Sequence, residues 1–385
     1  RSTVLRLRDS RRVPGPNLLH ARPGAVLDVT GPEAEVESLV APWAEAARRM
    51  LDAVGWDAEE TAHRRFRRGV SLFLTAPLDG LYAATEVNEW AFSAAHAQLE
   101  QGEAPDFDEA CARLRDLIEE EANPALLALR DAAAERGVLF LADRRLCSVG
   151  MGTGSRRWFV DEIPAPDEVH WSYRHDVPLA VVTGTNGKST TVRATASILR
   201  AAGLEPGTCS TDGVLVGDEW LDRGDFSGPE GARRVLRDRY VSAAVLETAR
   251  GGLLRRGLGV PRADVAAVLN VAEDHLGEFG IGTLEELVQV KLVLHRAVER
   301  GGRFVLNLDD PALAAWQAET ATPVDGFTME TETAARIRSG DFGGAGAWLD
   351  GESLVLCLEG EASTVAEVAE VPITLGGAAR HNVQN

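Results

Sequence analysis

The rhythm of apolar and polar positions changes part-way along the chain. In the first part, Glu33–Ala53, Ala83–Leu99 and Phe107–Arg136 carry apolar residues at three-and-four spacing and read as helices, while Thr3–Leu7 and Val70–Thr75 read as short strands. Val138–Ala142 and Cys147–Met151 add two strand-like runs around Asp143-Arg144-Arg145. Residues 1–160 therefore form a mixed α and β unit. The stretch 161–176, DEIPAPDEVHWSYRHD, holds two prolines and five acidic residues with no helical period, and is expected to be a linker.

From residue 177 the pattern becomes regular. Leu179–Thr183 is an apolar strand, Ser189–Ala202 a helix, Ala243–Glu247 and Asp264–Asn270 strands, Leu284–Glu299 a helix and Arg303–Asn307 a strand. Strands alternating with helices predict an α/β fold for 177–385, a mainly parallel sheet flanked by helices. Ligands of such sheets gather at the carboxyl ends of the strands.

Composition narrows the function. The net charge of −19 opposes a phosphate backbone or an anionic membrane surface, so neither nucleic acid nor membrane is an expected partner, although a small anion needs only local donors. Cys111, Cys147, Cys209 and Cys357 are widely separated, without metal-site or redox-pair spacing, and no apolar run is long enough to span a bilayer. The expected setting is cytoplasmic, with reduced structural thiols and no zinc. A homo-oligomer is compatible with this composition, which sets no oligomeric state. Of 40 basic residues only two, Lys188 and Lys291, are lysines.

The strand LAVVTG runs into Gly184-Thr185-Asn186-Gly187-Lys188-Ser189-Thr190 and then a helix. Glycines let the backbone approach a phosphate, amides at a helix start face an anion, Lys188 can reach the terminal phosphates, and Ser189 can hold Mg²⁺. The spacing GxxGK[ST] is shorter than the general phosphate-loop motif and marks a particular subclass. Three more candidates lie downstream: Glu247 at a strand end before Thr248-Ala249-Arg250-Gly251-Gly252, Asn270 ahead of Val271-Ala272-Glu273-Asp274-His275, and Lys291 on an apolar helix. Taken singly, a strand-end Glu is usually solvated, a lone His is usually structural, and a helix Lys usually extends its ammonium to water.

In this order the motifs TGTNGKST, LETARGG, NVAEDHLGEFGI, VKLVLHRAV and the terminal HNVQN resemble the Mur ligase family over roughly 177–385, and most of all its cyanophycin-synthetase branch. The resemblance implies an ATP-dependent ligase that converts a carboxylate to an acyl phosphate and then to an amide by amine attack, on an amino-acid or peptide substrate. It implies that Lys188 contacts the transferred phosphate, that Ser189 and Glu247 bind one Mg²⁺, and that His275 and a carbamate on Lys291 serve a second. Asn382 and Asn385 match positions near the adenine, and Asn270 is expected to line the same region.

The chain departs from that branch in two places. The 170 or so residues before the phosphate loop are expected to be too few for an ATP-grasp module plus another domain, and similarity there is confined to Gly15-Pro16-Asn17 and SVGMGTGSRRW. HNVQN normally leads into a Rossmann-like third domain, expected beyond 385. A nucleotide-binding interaction module without ligase activity, and a P-loop ATPase or kinase, are the competing readings. Arg250, Arg255 and Arg256 could receive a substrate carboxylate or pair with neighbouring acids. Glu86-Val87-Asn88-Glu89-Trp90 could line a cleft or pack a helix, and Asp309-Asp310 could touch ribose or cap the helix at Pro311. If lysine has been replaced by arginine wherever charge alone matters, the two survivors mark sites that need a primary amine.

Overall fold

A computed structural model describes residues 5–273, 276–340 and 345–384. The N-terminal unit is an antiparallel sheet of β1 (Arg6–Val13), β2 (Gly24–Thr30), β3 (Thr61–Phe66) and β4 (Gly69–Thr75), in the order β1-β2-β4-β3. Helices α1 (Glu33–Ala53) and α2 (Leu81–Glu100) cover it, and α3 (Phe107–Glu121) packs on α2. Trp43, Leu72, Leu74 and Trp90 share the core between these layers. Strand β2 escapes a sequence reading because almost every side chain of GAVLDVT is buried, which removes the alternation that reveals a half-exposed strand.

The stretch 107–136 is two helices. Helix α3 stops before Asn123, whose side chain accepts from the Leu126 amide to cap α4 (Pro124–Glu135), with Pro124 in the first turn, where its missing N–H costs nothing. Next comes a three-stranded sheet, β5 (Phe140–Ala142), β6 (Leu146–Val149) and β7 (Arg156–Phe159) in that order. Residues 161–176 hold two short 3₁₀ turns; Val169 is buried beside Leu126 and Leu129, and the Trp171 indole donates to Pro166 O.

The large sheet has eleven strands and takes in β8 (Leu179–Thr183), β9 (Pro206–Ser210), β10 (Gly213–Val216), β11 (Glu219–Arg223), β12 (Ala243–Glu247), β13 (Ala263–Val268), β14 (Val298–Asn307), β15 (Asp325–Thr328), β16 (Ala345–Asp350), β17 (Ser353–Leu358) and β18 (Glu361–Glu367). Its order is β11-β10-β9-β12-β8-β13-β14-β15-β16-β17-β18. The strands from β9 to β16 in that order run parallel, and antiparallel hairpins close both edges. The helices are α5 (Lys188–Ala201), α6 (Pro229–Leu236), α7 (Arg250–Arg256), α8 (Leu284–Leu292), α9 (Pro311–Glu319), α10 (Thr331–Arg338) and α11 (Arg380–Gln384). The helix expected over 284–299 ends at Leu292, because 293–297 tighten into a 3₁₀ turn and Val298 already pairs with Ala263.

The two units meet through specific polar contacts. Gly15 approaches Leu258 so closely that an added Cβ would lie 2.1 Å from its carbonyl oxygen. Pro16 O accepts the Leu258 amide at 2.7 Å, and Asn17 O accepts from Arg296 at 2.6 Å. Arg64 on β3 pairs with Glu286 on α8 at 3.1 Å and donates to Gly280 O at 3.2 Å. Glu286 also closes the capping box of α8 with Thr283, so the N-terminal unit holds the start of the helix that carries Lys291.

Candidate nucleotide site

Strands β8, β12 and β13 lie side by side in the centre of the parallel sheet, so the loops leaving their carboxyl ends converge in space although they are spread over some 90 residues. From β8 the chain passes through Gly184, which is buried against Leu269, into Thr185, Asn186 and Gly187. Gly187 has φ +83°, a conformation that favours glycine, and serves as N-cap of α5 without any side-chain hydrogen bond. The first amides of a fourteen-residue helix are thus left without a capping side chain, which suits an anion such as a phosphate.

Asn270 fixes the shape of this loop. Its Oδ1 accepts from the amides of Thr185 at 3.0 Å and Asn186 at 2.8 Å, and its Nδ2 donates to Asn186 O at 3.1 Å. The Thr185 hydroxyl is clasped by the backbone of Ala272, donating to its carbonyl at 3.2 Å and accepting from its amide at 3.0 Å. The family resemblance sets Asn270 beside the base; the described contacts place it as a brace for the loop.

Lys188 Nζ donates to Thr185 O at 3.0 Å, so the ammonium folds over its own loop. Ser189 Oγ donates to Glu247 Oε2 at 2.7 Å and lies 3.3 Å from the Thr211 hydroxyl. Glu247, only 1% exposed at the end of β12, has its other oxygen Oε1 buried without a hydrogen-bond partner. Burial pushes the Glu247 pKa up, against the opposing pull of the Ser189 hydroxyl and the Lys188 charge. A buried carboxylate oxygen with no partner, beside a serine hydroxyl and an uncapped helix start, fits a cation that accompanies a bound polyphosphate. Cys209 lies against Glu247 O at 3.9 Å, but burial drives its thiol pKa far up and makes it a poor nucleophile.

The other expected residues are more scattered. Thr190 is half-buried in the first turn of α5. Lys291 is 3% exposed on α8, which packs against α7. Arg250 opens α7 and pairs with Glu278 at 2.7 Å. The Asn382 side-chain amide donates to Ile373 O at 2.7 Å. His275 and Asn385 lie outside the described residues, and among the described residues no group of three or more His, Cys, Asp or Glu could hold a metal. Asp310 caps α9 by accepting from Ala312 and also accepts the Val271 amide at 2.7 Å, while Asp309 accepts from the Met329 amide. Thr211, just after β9, is absent from the sequence-based candidates; its signal is its place after a strand adjoining β12, visible only once strand order is known.

A separate open cleft of about 510 Å³ lies between β1, α2 and α7. Arg12, Arg255 and Arg256 line it together with Glu86 and Glu89. Within 86–90, Glu86 and Glu89 line this cavity, while Val87, Asn88 and Trp90 are buried in the packing of α2.

Residues 182–385, just over half of the chain, match the profile of the Mur ligase middle domain. The chain belongs to the Mur ligase family. Over 210 residues it is 41% identical to cyanophycin synthetase of Crocosphaera subtropica, which covers 54% of this chain and 24% of that protein. Over 138 residues it is 34% identical to UDP-N-acetylmuramoylalanine--D-glutamate ligase of a Geobacter species, covering 36% and 26%. This Mur ligase family chain thus spans about a quarter of the length of those curated relatives. Solved structures similar to it include a UDP-N-acetylmuramoyl-L-alanyl-D-glutamate--2,6-diaminopimelate ligase (20% identity, TM-score 0.40, 53% of this chain and 43% of that one). E. coli FolC in complex with DHPP and ADP is another (18% identity, TM-score 0.33, 53% of each). No helix among the described residues is long and apolar enough to cross a membrane.

Proposed function

We propose that this chain forms the nucleotide-binding and catalytic core of an ATP-dependent ligase that joins a carboxylate to an amine through an acyl phosphate. The observation that carries the reading is the contact of Ser189 with Glu247, whose second oxygen is buried and unpartnered next to the phosphate loop. In this reading the start of α5 and Lys188 hold the terminal phosphates, and Ser189 and Glu247 hold one Mg²⁺, which when bound offsets the negative charge that two anionic reactants bring together. Lys291, as a carbamate, and His275 would serve a second.

The reaction balances simply. A substrate carboxylate oxygen bonds to the γ-phosphorus as ADP leaves; the amine then attacks the acyl carbon, phosphate departs, and the amine proton goes to solvent or a base. Positioning and charge neutralisation are what the protein supplies, since phosphorylation itself turns a poor leaving group into a good one. The cavity lined by Arg12, Arg255 and Arg256 opposite Glu86 and Glu89 offers both signs of charge, as a zwitterionic amino acid or peptide requires.

The test is ADP release in the presence of Mg²⁺ and a panel of amino acids and short peptides, with product mass measured in parallel. Release that depends on both a carboxylate and an amine, with formation of the amide, is expected. ADP without amide product for every acceptor would replace the ligase with an ATPase or kinase.

A further inference from the structure

The loop 276–282 stands between the two residues proposed to serve a second cation: it follows His275 in sequence and leads into α8, which carries Lys291. Helix α7 reaches its first half. Arg250 pairs with Glu278 at 2.7 Å, and the Arg255 guanidinium lies 5.7 Å from the centre of the Phe279 ring. The N-terminal unit takes hold of the rest. Arg64 of β3 donates to Phe279 O at 3.5 Å and Gly280 O at 3.2 Å, and pairs with Glu286, whose carboxylate also accepts the Gly282 amide at 2.6 Å. Arg11 of β1 sets its guanidinium 5.1 Å from the Phe279 ring while its Nε donates to Leu254 O of α7 at 3.0 Å. Gly280 lies so near the Phe66 ring that an added Cβ would come within 2.6 Å of it.

The backbone carries the mark of these contacts. Phe279 has φ +51°, a left-handed conformation that is strained for a bulky residue and persists only where the surroundings over-determine it. Gly277 and Gly280, also at positive φ, leave the loop free to take other shapes once those surroundings are removed. A capping box already starts α8, so the helix itself does not require Arg64. What the guanidinium adds is a fixed distance between the carbonyl of Gly280 and the carboxylate of Glu286.

We propose that Arg64 and Arg11 are positioning residues of the nucleotide centre: through them the N-terminal unit holds loop 276–282 in the shape required by the segments on either side of it. In the described contacts neither residue touches the phosphate loop or Glu247. Their effect on turnover rests on the ligase reading; the seating of the loop beside bound nucleotide does not. Small displacements of groups that position a reaction cost up to about a hundredfold in rate, whereas nucleotide affinity is set by α5 and Lys188.

Two measurements on the intact chain test this, with Arg64→Ala as the variant and Arg65→Ala as the control. Arg65 is the next residue of β3 and points to the other face of the strand, where it pairs with Glu33 and Glu37 of α1. Hydrogen exchange read by mass spectrometry, with and without Mg²⁺ and a non-hydrolysable ATP analogue, should show nucleotide-induced protection of both 185–192 and 277–287 in the parent and in Arg65→Ala. Arg64→Ala should keep the first and lose the second. Ligase turnover per nucleotide-binding site, which leaves unfolded chain out of the count, should fall by about tenfold in Arg64→Ala with KM for ATP unchanged. Arg64→Lys keeps the charge and a donor, so it should recover part of that turnover, and it stands in if the alanine variant does not fold. A parent chain that makes no amide defeats the ligase reading, and exchange alone then decides the seating. No nucleotide response of 277–287 in the parent, the same response in Arg64→Ala, or turnover per site equal in Arg64→Ala and Arg65→Ala overturns the proposal.

Discussion

Replacing Asn270 by alanine isolates the shape of the phosphate loop from its chemistry. The side chain makes three hydrogen bonds to Thr185 and Asn186 and reaches no other part of the site in the described contacts. Thr185 N also donates to Asn270 O at 3.0 Å, a bond that survives the substitution, so one amide keeps a partner while the amide of exposed Asn186 turns to water. With partly solvated partners, the lower end of the usual range applies, about 0.5 kcal/mol per bond, or roughly 1.5 kcal/mol in all. That energy no longer favours the phosphate-ready loop over its alternatives, and apparent affinity falls with the fraction of competent loop, by about tenfold. Titration with a fluorescent ATP analogue in Mg²⁺ measures it, and the melting temperature of the large domain should change little. Affinity within twofold of the parent would show that the loop holds its shape without the brace and would refute the reasoning.

Glu247→Gln should abolish Mg²⁺-dependent stabilisation by nucleotide while raising the melting temperature of the ligand-free protein. The folded-state pKa of Glu247 is raised above its usual 4.5 by burial, so its contribution to stability is full below that value and is lost as pH rises through the folded pKa. The thermal advantage of the glutamine variant should therefore grow from acid towards neutral pH, and an advantage independent of pH would contradict this. Arg64→Ala should cost about 1 kcal/mol in urea unfolding and Glu286→Ala somewhat more, because Glu286 serves both the ion pair and the capping box; the double variant should fall short of the sum. Lys291→Ala should lose ligase turnover and recover part of it with short-chain carboxylates, while an unmodified Lys291 amine in the Mg²⁺-loaded protein would rule the carbamate out. Lys188→Arg should leave the melting temperature unaltered and weaken nucleotide binding at least tenfold, measured by the same titration, since the planar fork cannot replace a compact ammonium within the loop.

What the sequence discloses depends on whether a feature is local. The phosphate loop, Glu247 at its strand end and the cap at Asp310 arise from neighbouring residues, and each stands where local pattern puts it. Asn123-Pro124 is equally local, yet the apolar period running through 107–136 conceals the break it makes. Strands such as β9, PGTCS, are short, fully buried and begin with proline and glycine, so they imitate a turn. The contacts of Asn270, Thr211 and Arg64 depend on strand order and on the meeting of two units, which no periodicity encodes. For the same reason 161–176 looks like a free connector: its Pro and acidic content is local, whereas its anchoring through Asp176, which accepts the Leu139 amide at 2.9 Å, is tertiary.

The scarcity of lysine can now be set against geometry. Arginine fills the surface, a groove beside β7 and the unit interface, where Arg64, Arg262 and Arg296 each bridge to carbonyls or carboxylates with several donors at once. A rigid fork is well suited to those positions because it can satisfy two acceptors without losing much freedom. Lys188 meets a different demand: its ammonium sits over a tight loop, 3.0 Å from Thr185 O, where a single compact charge can swing from the carbonyl to a phosphate. Lys291 is 3% exposed on an apolar helix, and burying a cation at such a place costs several kcal/mol unless the site compensates or changes its charge. Surface charge would not keep a lysine there. The two lysines of the chain therefore stand at a tight glycine loop and at a buried helix position, neither of which is a place for simple surface charge.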